Sequence, residues 1–154
     1  MMKTVKINIY KFNELEKTIQ KKVIDKFKYE DDYIFIDEDI KIIKEFAVDF
    51  GVNIYDYSLC PYSYSYFKYN FDNDDIDNIN LSEMKSDEPL YEILFNEFKK
   101  QYKYTHDYEY SFEQVMEKAK KYVIDEMIYQ DSDEYITETI EINNYDFTKD
   151  GEIH

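Results

Sequence analysis

Apolar residues along the chain recur at two spacings, one typical of strands and one typical of helices. Alternation over residues 4–10 predicts a half-buried strand, and a helical period over residues 13–28 predicts a helix. Asn13 and Glu16 are spaced as an N-cap and its capping-box partner, so the helix is expected to begin there. Its inner stripe would comprise Leu15, Ile19, Val23 and Phe27.

The pattern continues with a helix and a hairpin. A helix is predicted over residues 37–50, and Gly51 stands where a left-handed residue would end it. Residues 52–59 and 63–71 predict two strands of a hairpin with Pro61 in the turn. The core positions of the helix are predicted to be Ile40, Ile43, Phe46, Ala47 and Phe50.

The second half of the chain predicts more helix. Residues 72–88 read as a polar loop, and Pro89 suits the first turn of the helix that follows. Further helices are expected to begin at Ser111 and Ser132, and residues 144–148 predict a last strand. Together these elements predict one acidic α+β domain over residues 1–154, with an antiparallel sheet of three to five strands packed against four or five helices.

The most acidic helical stretch is residues 125–141, which carries seven carboxylates and no lysine. Its apolar residues recur at helical spacing, which predicts two amphipathic helical pieces whose outer faces carry unneutralised negative charge.

Charge is unevenly distributed over the rest of the chain. The net charge is −16, yet residues 1–28 hold eight lysines against three acids. The negative field produced by this net charge repels nucleic acid and attracts basic partners, including the nucleic-acid-binding grooves of other proteins. A surface that only keeps the protein soluble would show the same composition.

Carboxylates on exposed helix faces can imitate the regularly spaced phosphates of a duplex and occupy a basic groove through many screened pairs. We therefore take two groups of acids as candidate partner-binding residues, each with a solvated face as the alternative interpretation. The first group is Asp125, Glu126, Asp131, Asp133, Glu134, Glu138 and Glu141, and the second is Asp72, Asp74, Asp75 and Asp77.

Other chemistries find little support, and no catalytic, metal or cofactor site is predicted. Residues 72–77 suggest a calcium loop, but Ile76 occupies a ligand position and no glycine follows. Cys60 with His106 would allow a hydrolase, although a structural cysteine is commoner. The tyrosine-rich hairpin is expected to pack rather than to stack on nucleic acid, because the chain has no arginine.

The cellular setting follows from cysteine usage and hydropathy. A single cysteine fits a reducing compartment, and no run of about 18 apolar residues would span a membrane. The expected location is the cytoplasm. The 18 tyrosines are compatible with a homodimer.

Three blocks, residues 7–27, 44–59 and 135–154, resemble a family of small phage and prophage proteins of unassigned function, some of which carry an antitoxin-like label. The resemblance is carried by a strand followed by a KF-x-EL helix and by the terminal pattern NxYxFTxDG, present here as Asn143 to Gly151. It implies a mobile-element context, and with it the cytoplasm of a host cell, and it supplies no catalytic residues.

The leading hypothesis is therefore a phage-encoded, non-catalytic inhibitor of a host nucleic-acid-targeting defence system, either a CRISPR effector or a restriction nuclease. It would bind the host protein's basic groove and make no direct contact with nucleic acid or membrane. The alternative is an antitoxin-like protein that neutralises a partner toxin.

Overall fold

The computed structural model describes residues 8–28, 33–72 and 81–154. Contacts divide the chain into a central unit, residues 34–127, and a terminal unit formed by residues 1–33 with 128–154. The helices and strands are α1 (Lys17–Phe27), α2 (Ile36–Asp49), β1 (Val52–Ser58), β2 (Tyr66–Phe71), α3 (Pro89–Thr105), α4 (Tyr108–Gln130) and α5 (Asp133–Asn143).

The α+β class and the number of helices are confirmed. The described residues form one antiparallel sheet of two strands, fewer than the predicted three to five. Within these residues, no helix is long and apolar enough to cross a membrane. One domain over residues 1–154 stays a prediction.

In the central unit, α2 and the hairpin follow the sequence pattern closely. The predicted core positions of α2 are buried, and Gly51 adopts a φ of 70° after the helix. β1 pairs with β2 in antiparallel register, with an irregularity between Ile54 and Asp56. Alternation then turns Tyr69 and Phe71 toward the core, where both rings contact Phe112.

The core of the central unit is aromatic. Phe46 stacks on Phe50 with ring centroids 4.3 Å apart and meets Tyr91 edge-on at 5.2 Å. Tyr91 is buried, and its hydroxyl donates a hydrogen bond to Asp49 Oδ2 at 2.9 Å. Burial, and then this bond, raise the pKa of Tyr91. Tyr91 is thus a core residue, so not all of the tyrosines are available at the surface.

The predicted start of α4 at Ser111 is wrong. The helix begins at Tyr108, where Asp107 Oδ1 accepts the N–H of Tyr110 at 3.0 Å. Ser111 is buried inside the helix and donates its hydroxyl hydrogen to the carbonyl of Asp107 at 2.6 Å. Asp107 and Ser111 are both residues that can cap a helix, and it is the carboxylate of Asp107 that accepts a free N–H of the first turn.

The terminal unit joins the two ends of the described chain through one core. α1 and α5 pack around the buried side chains of Phe12, Leu15, Val23, Ile136, Ile140 and Phe147. The predicted strand at 144–148 is reduced to bridges from Phe147 to Tyr10 and to Ile153. Most of the predicted strand at 4–10 lies outside the described residues.

The predicted start of α1 at Asn13 is also wrong. Residues Phe12–Glu14 form a 3₁₀ turn in which Glu14 accepts the backbone N–H of Lys11 at 2.8 Å. Leu15 is extended and buried, so α1 begins only at Lys17. The break lets Phe12 and Leu15 both enter the core.

Candidate partner-binding surface

α5 is held in place from both ends and from its inner face. The hydroxyl of Ser132 accepts the N–H of Tyr135 at 3.2 Å, which confirms Ser132 as the N-cap. Asn144, with a φ of 54°, follows the last turn. Ile136 and Ile140 are buried in the terminal core, so the outer face of α5 has a fixed direction.

That outer face carries a row of three glutamates, which we call the α5 stripe: Glu134, Glu138 and Glu141. All three are exposed. Their spacing of four and three residues places them on one side of the helix over about 10 Å. Within residues 8–28, 33–72 and 81–154, none of them has a basic side chain within 4 Å. The stripe is therefore a solvated row of acidic side chains on a rigid support.

An apolar side chain lies beside the α5 stripe. Ile142 is 82% exposed and follows Glu138 by four residues, which puts it next to the stripe on the helix surface. An exposed isoleucine beside acids gives a partner an apolar contact as well as charge. Asp133, at the start of α5, is exposed but lies 3.5 Å from Lys28 Nζ, so its charge is partly screened.

Asp131 does not share this exposure. It is 8% exposed, and its Oδ2 accepts a hydrogen bond from the hydroxyl of Tyr33 at 2.7 Å. The sequence interpretation that placed its carboxylate on an outer face is therefore wrong. Asp131 lies in the turn between α4 and α5, where the helical period that predicted exposure no longer applies.

Asp125 and Glu126 belong to α4 in the central unit. Asp125 is exposed, whereas Glu126 is half-buried. Partial burial, together with the charges of Glu126 and then Glu38, raises the pKa of Asp39 to about 6. Burial and then the charges of Asp39 and Glu126 also raise the pKa of Tyr122. Glu126 therefore takes part in repulsion inside the central unit.

The second candidate group is described only in part. Asp72 is exposed directly after β2, and its backbone N–H donates to the carbonyl of Gly51 at 2.8 Å. Asp74, Asp75 and Asp77 lie outside the described residues. Among the residues that are described, no group of acids, histidines or cysteines is arranged to hold a metal ion.

Sequence reasoning missed a second acidic row, on α4. Glu109, Glu113 and Glu117 are exposed and follow one another at intervals of four residues. Glu117 pairs with Lys120 at 3.0 Å, so this row is partly neutralised. The spacing was readable from the sequence, but placing the helix start at Ser111 left Glu109 outside the helix.

Cys60 and His106 have separate settings. Cys60 lies between the two strands, and the hydroxyl of Ser63, followed by the N–H of Tyr62, lowers the pKa of its thiol. His106 is exposed at the end of α3 with a φ of 52°, and its ring contacts Tyr102. The described contacts include none between them.

Comparison with known proteins gives no relative to guide assignment: no family model, curated protein or solved structure matches the chain. The resemblance to small phage proteins stays a prediction.

Proposed function

We propose that this chain is a phage-encoded, non-catalytic inhibitor that binds the basic nucleic-acid groove of a host defence protein, a CRISPR effector or a restriction nuclease. The observation that carries the proposal is the α5 stripe. Its three glutamates are exposed on one side of a helix whose opposite side is buried, and no described lysine lies within ion-pair distance of them.

The spacing of the stripe can be compared with that of the phosphates it would replace in such a groove. Successive glutamates are separated by about 6 Å and then about 4.5 Å along the helix axis, and successive phosphates of one DNA strand by about 3.4 Å along the duplex axis. The row is thus less dense than a strand of DNA, and additional acids would be needed for a full contact. Asp125 and Asp72 are the other exposed members of the predicted set without a described ion pair.

Binding through charge would have a defined salt signature. Exposed charge pairs are screened over about 10 Å at 0.1 M salt and about 3 Å at 1 M. Inhibition should therefore weaken steeply as salt rises. It should also be stoichiometric, because no catalytic group is invoked.

The test measures DNA cleavage by a panel of purified CRISPR effectors and restriction nucleases, with this protein added in increasing ratio. The parent should inhibit at least one of them near equimolar ratio. The triple variant E134K/E138K/E141K should bind that nuclease about 100-fold more weakly, because three attractive contacts become repulsive.

A matched control separates the stripe from bulk charge. The triple variant E109K/E113K/E117K changes the net charge equally but on α4. It should retain inhibition to within about fivefold. Equal loss in both variants would leave only a general charge effect, and undiminished inhibition by the α5 variant would refute the proposal. Neutralisation of a co-expressed toxin with no effect on nucleases would favour the antitoxin alternative.

A further inference from the structure

The outward side of the hairpin carries an uncovered aromatic and charged surface, which we call the hairpin face: Asp56, Tyr64, Tyr66 and Lys68. Tyr64 is 81% exposed, and its ring centroid lies 5.8 Å from that of Tyr66. Lys68 Nζ lies 5.0 Å from the ring centroid of Tyr66, so these three side chains are neighbours.

Strand alternation explains why this face is uncovered. Tyr69 and Phe71 point inward and contact Phe112, so Lys68 and Asn70 point outward and are exposed. Of the two rings on the hairpin face, Tyr64 is exposed just before β2 and Tyr66 is half-buried at the start of the strand. Exposed apolar patches on a protein surface mark contact sites. Tyrosine is also enriched at the centres of interfaces.

The charges on the hairpin face complement each other. Asp56 and Lys68 are partners in the strand register, yet they form no ion pair within 4 Å. Asp56 instead accepts the N–H of Tyr57 at 2.9 Å, and Lys68 lies over Tyr66. One acid and one lysine side by side form a surface that matches a copy of itself rotated by 180°.

We propose that the hairpin face binds a second copy of this chain in an isologous contact, with Asp56 of each copy facing Lys68 of the other and the tyrosines packed between them. A chain with a net charge of −16 repels its copies, so contact is favoured where the surface is locally neutral and apolar. The hairpin face meets both conditions. The same negative charge disfavours single-stranded nucleic acid as the occupant.

This contact would be weak, and its salt dependence would be opposite to that of the α5 stripe. The two tyrosines per copy bury about 150–250 Å² each at most, less than the roughly 800 Å² per partner of a standard interface. Added salt screens the repulsion between two acidic molecules, so the dimer should tighten between about 0.1 M and 1 M salt. Binding through the α5 stripe should weaken over the same range.

The test is sedimentation equilibrium of the full chain from about 10 μM to about 1 mM, at both salt concentrations. A reversible dimer is expected, and a chain that stays monomeric throughout overturns the proposal, whether or not the face binds an oligonucleotide or another protein. Larger open assemblies would also overturn it, because an isologous contact closes at two copies.

Charge exchange tests the pairing itself. D56K and K68D should each weaken the homodimer at least about tenfold, since like charges then meet across the two-fold axis. Mixing the two variants should give a heterodimer about as tight as the parent dimer, because two lysines then face two aspartates. A strictly intramolecular role for these residues predicts no preference for the mixed dimer, and that result would overturn the proposal.

Substitution of one tyrosine inside the hairpin face and of one outside it tests the aromatic part of the contact. Y64S should weaken the dimer at least about tenfold, whereas Y104S removes an equally exposed tyrosine on α3 and should leave it unchanged. Thermal unfolding of each variant checks that the fold is retained. Equal weakening by both variants would place the contact elsewhere.

Discussion

The seven carboxylates between Asp125 and Glu141 fall into two regions with different surroundings. In residues 125–131, Glu126 is half-buried and Asp131 is buried beneath the hydroxyl of Tyr33. In residues 133–141 every carboxylate is exposed, and only Asp133 has a described lysine within 4 Å. The number of acids therefore determines the sign of the charge in a region, whereas exposure to solvent determines whether a partner can contact their carboxylates.

Removal of a buried side chain from the inner face of α5, opposite the α5 stripe, should have the largest effect on stability. Ile140→Ala removes a side chain that is 1% exposed and should lower the free energy of unfolding by about 3 kcal/mol, because a cavity is left in the terminal core. Denaturant unfolding measures the loss. Ile142→Ala, on the exposed side of the same helix, should change it by less than about 0.5 kcal/mol. Similar losses in both variants would contradict the assigned faces of α5.

Asp131 provides the next contrast with the stripe. Asp131→Ala should cost about 2 kcal/mol, because the buried carboxylate accepts the Tyr33 hydroxyl, whereas Glu134→Ala should cost less than about 0.5 kcal/mol. A double-mutant cycle with Tyr33→Phe measures the coupling by urea unfolding. Independent effects of the two substitutions would show that the hydrogen bond contributes nothing.

In the central unit, the raised pKa of Asp39 should make stability depend on pH. The pKa of Asp39 is about 6 in the folded protein against an ordinary 3.8, so the folded state binds its proton more tightly. Stability from this group therefore rises as pH falls from about 7 to about 4. Asp39→Asn should remove about 1 kcal/mol of that rise, a value reduced because the group is partly exposed.

The control for Asp39 is Asp37→Asn, an exposed acid in the same first turn of α2. Unfolding free energies of both variants are measured across the same pH range. An unchanged pH profile in Asp39→Asn, or an equal change in both, would contradict the raised pKa that burial, and then the charges of Glu126 and Glu38, give Asp39.

The smallest effect is expected at Asp133, which is exposed but paired. Asp133→Ala removes the contact with Lys28 and one charge from the N-terminal turn of α5, and should cost about 0.5 kcal/mol at low salt. The cost should shrink at 1 M salt in the same unfolding assay. A loss above about 1.5 kcal/mol would mean that the carboxylate of Asp133 contributes to stability as the buried Asp131 does, rather than being exposed like the glutamates of the α5 stripe.

Much of the fold was predictable where one physical signal acted alone. The apolar period of α2, the glycine after it and Pro89 at the start of α3 each fixed an element within a few residues. The start of α4 was not predictable in this way, because two capping residues, Asp107 and Ser111, competed and the carboxylate of Asp107 accepts the free N–H. The start of α1 was not predictable because tertiary burial holds Leu15 in an extended conformation.

The candidate surface was predictable in the same partial way. Glu134, Glu138 and Glu141 follow from helical spacing and the cap at Ser132. The burial of Asp131 depends on Tyr33, which lies 98 residues earlier in the chain. No local pattern can report a contact over that separation.

The bridge between Tyr10 and Phe147 also bears on the order in which parts of the protein fold during synthesis. Residues 34–127 can pack among themselves as soon as they leave the ribosome, whereas α1 has its core partners in α5 and the segment after it. The apolar stripe of α1 therefore stays uncovered until α5 and the segment after it have been made. Gly151 adds a final condition, since a β-carbon there would come within 2.8 Å of Val23 as the last turn closes over α1. Among the described helices, α1 is translated first and is buried only after α5 has been made.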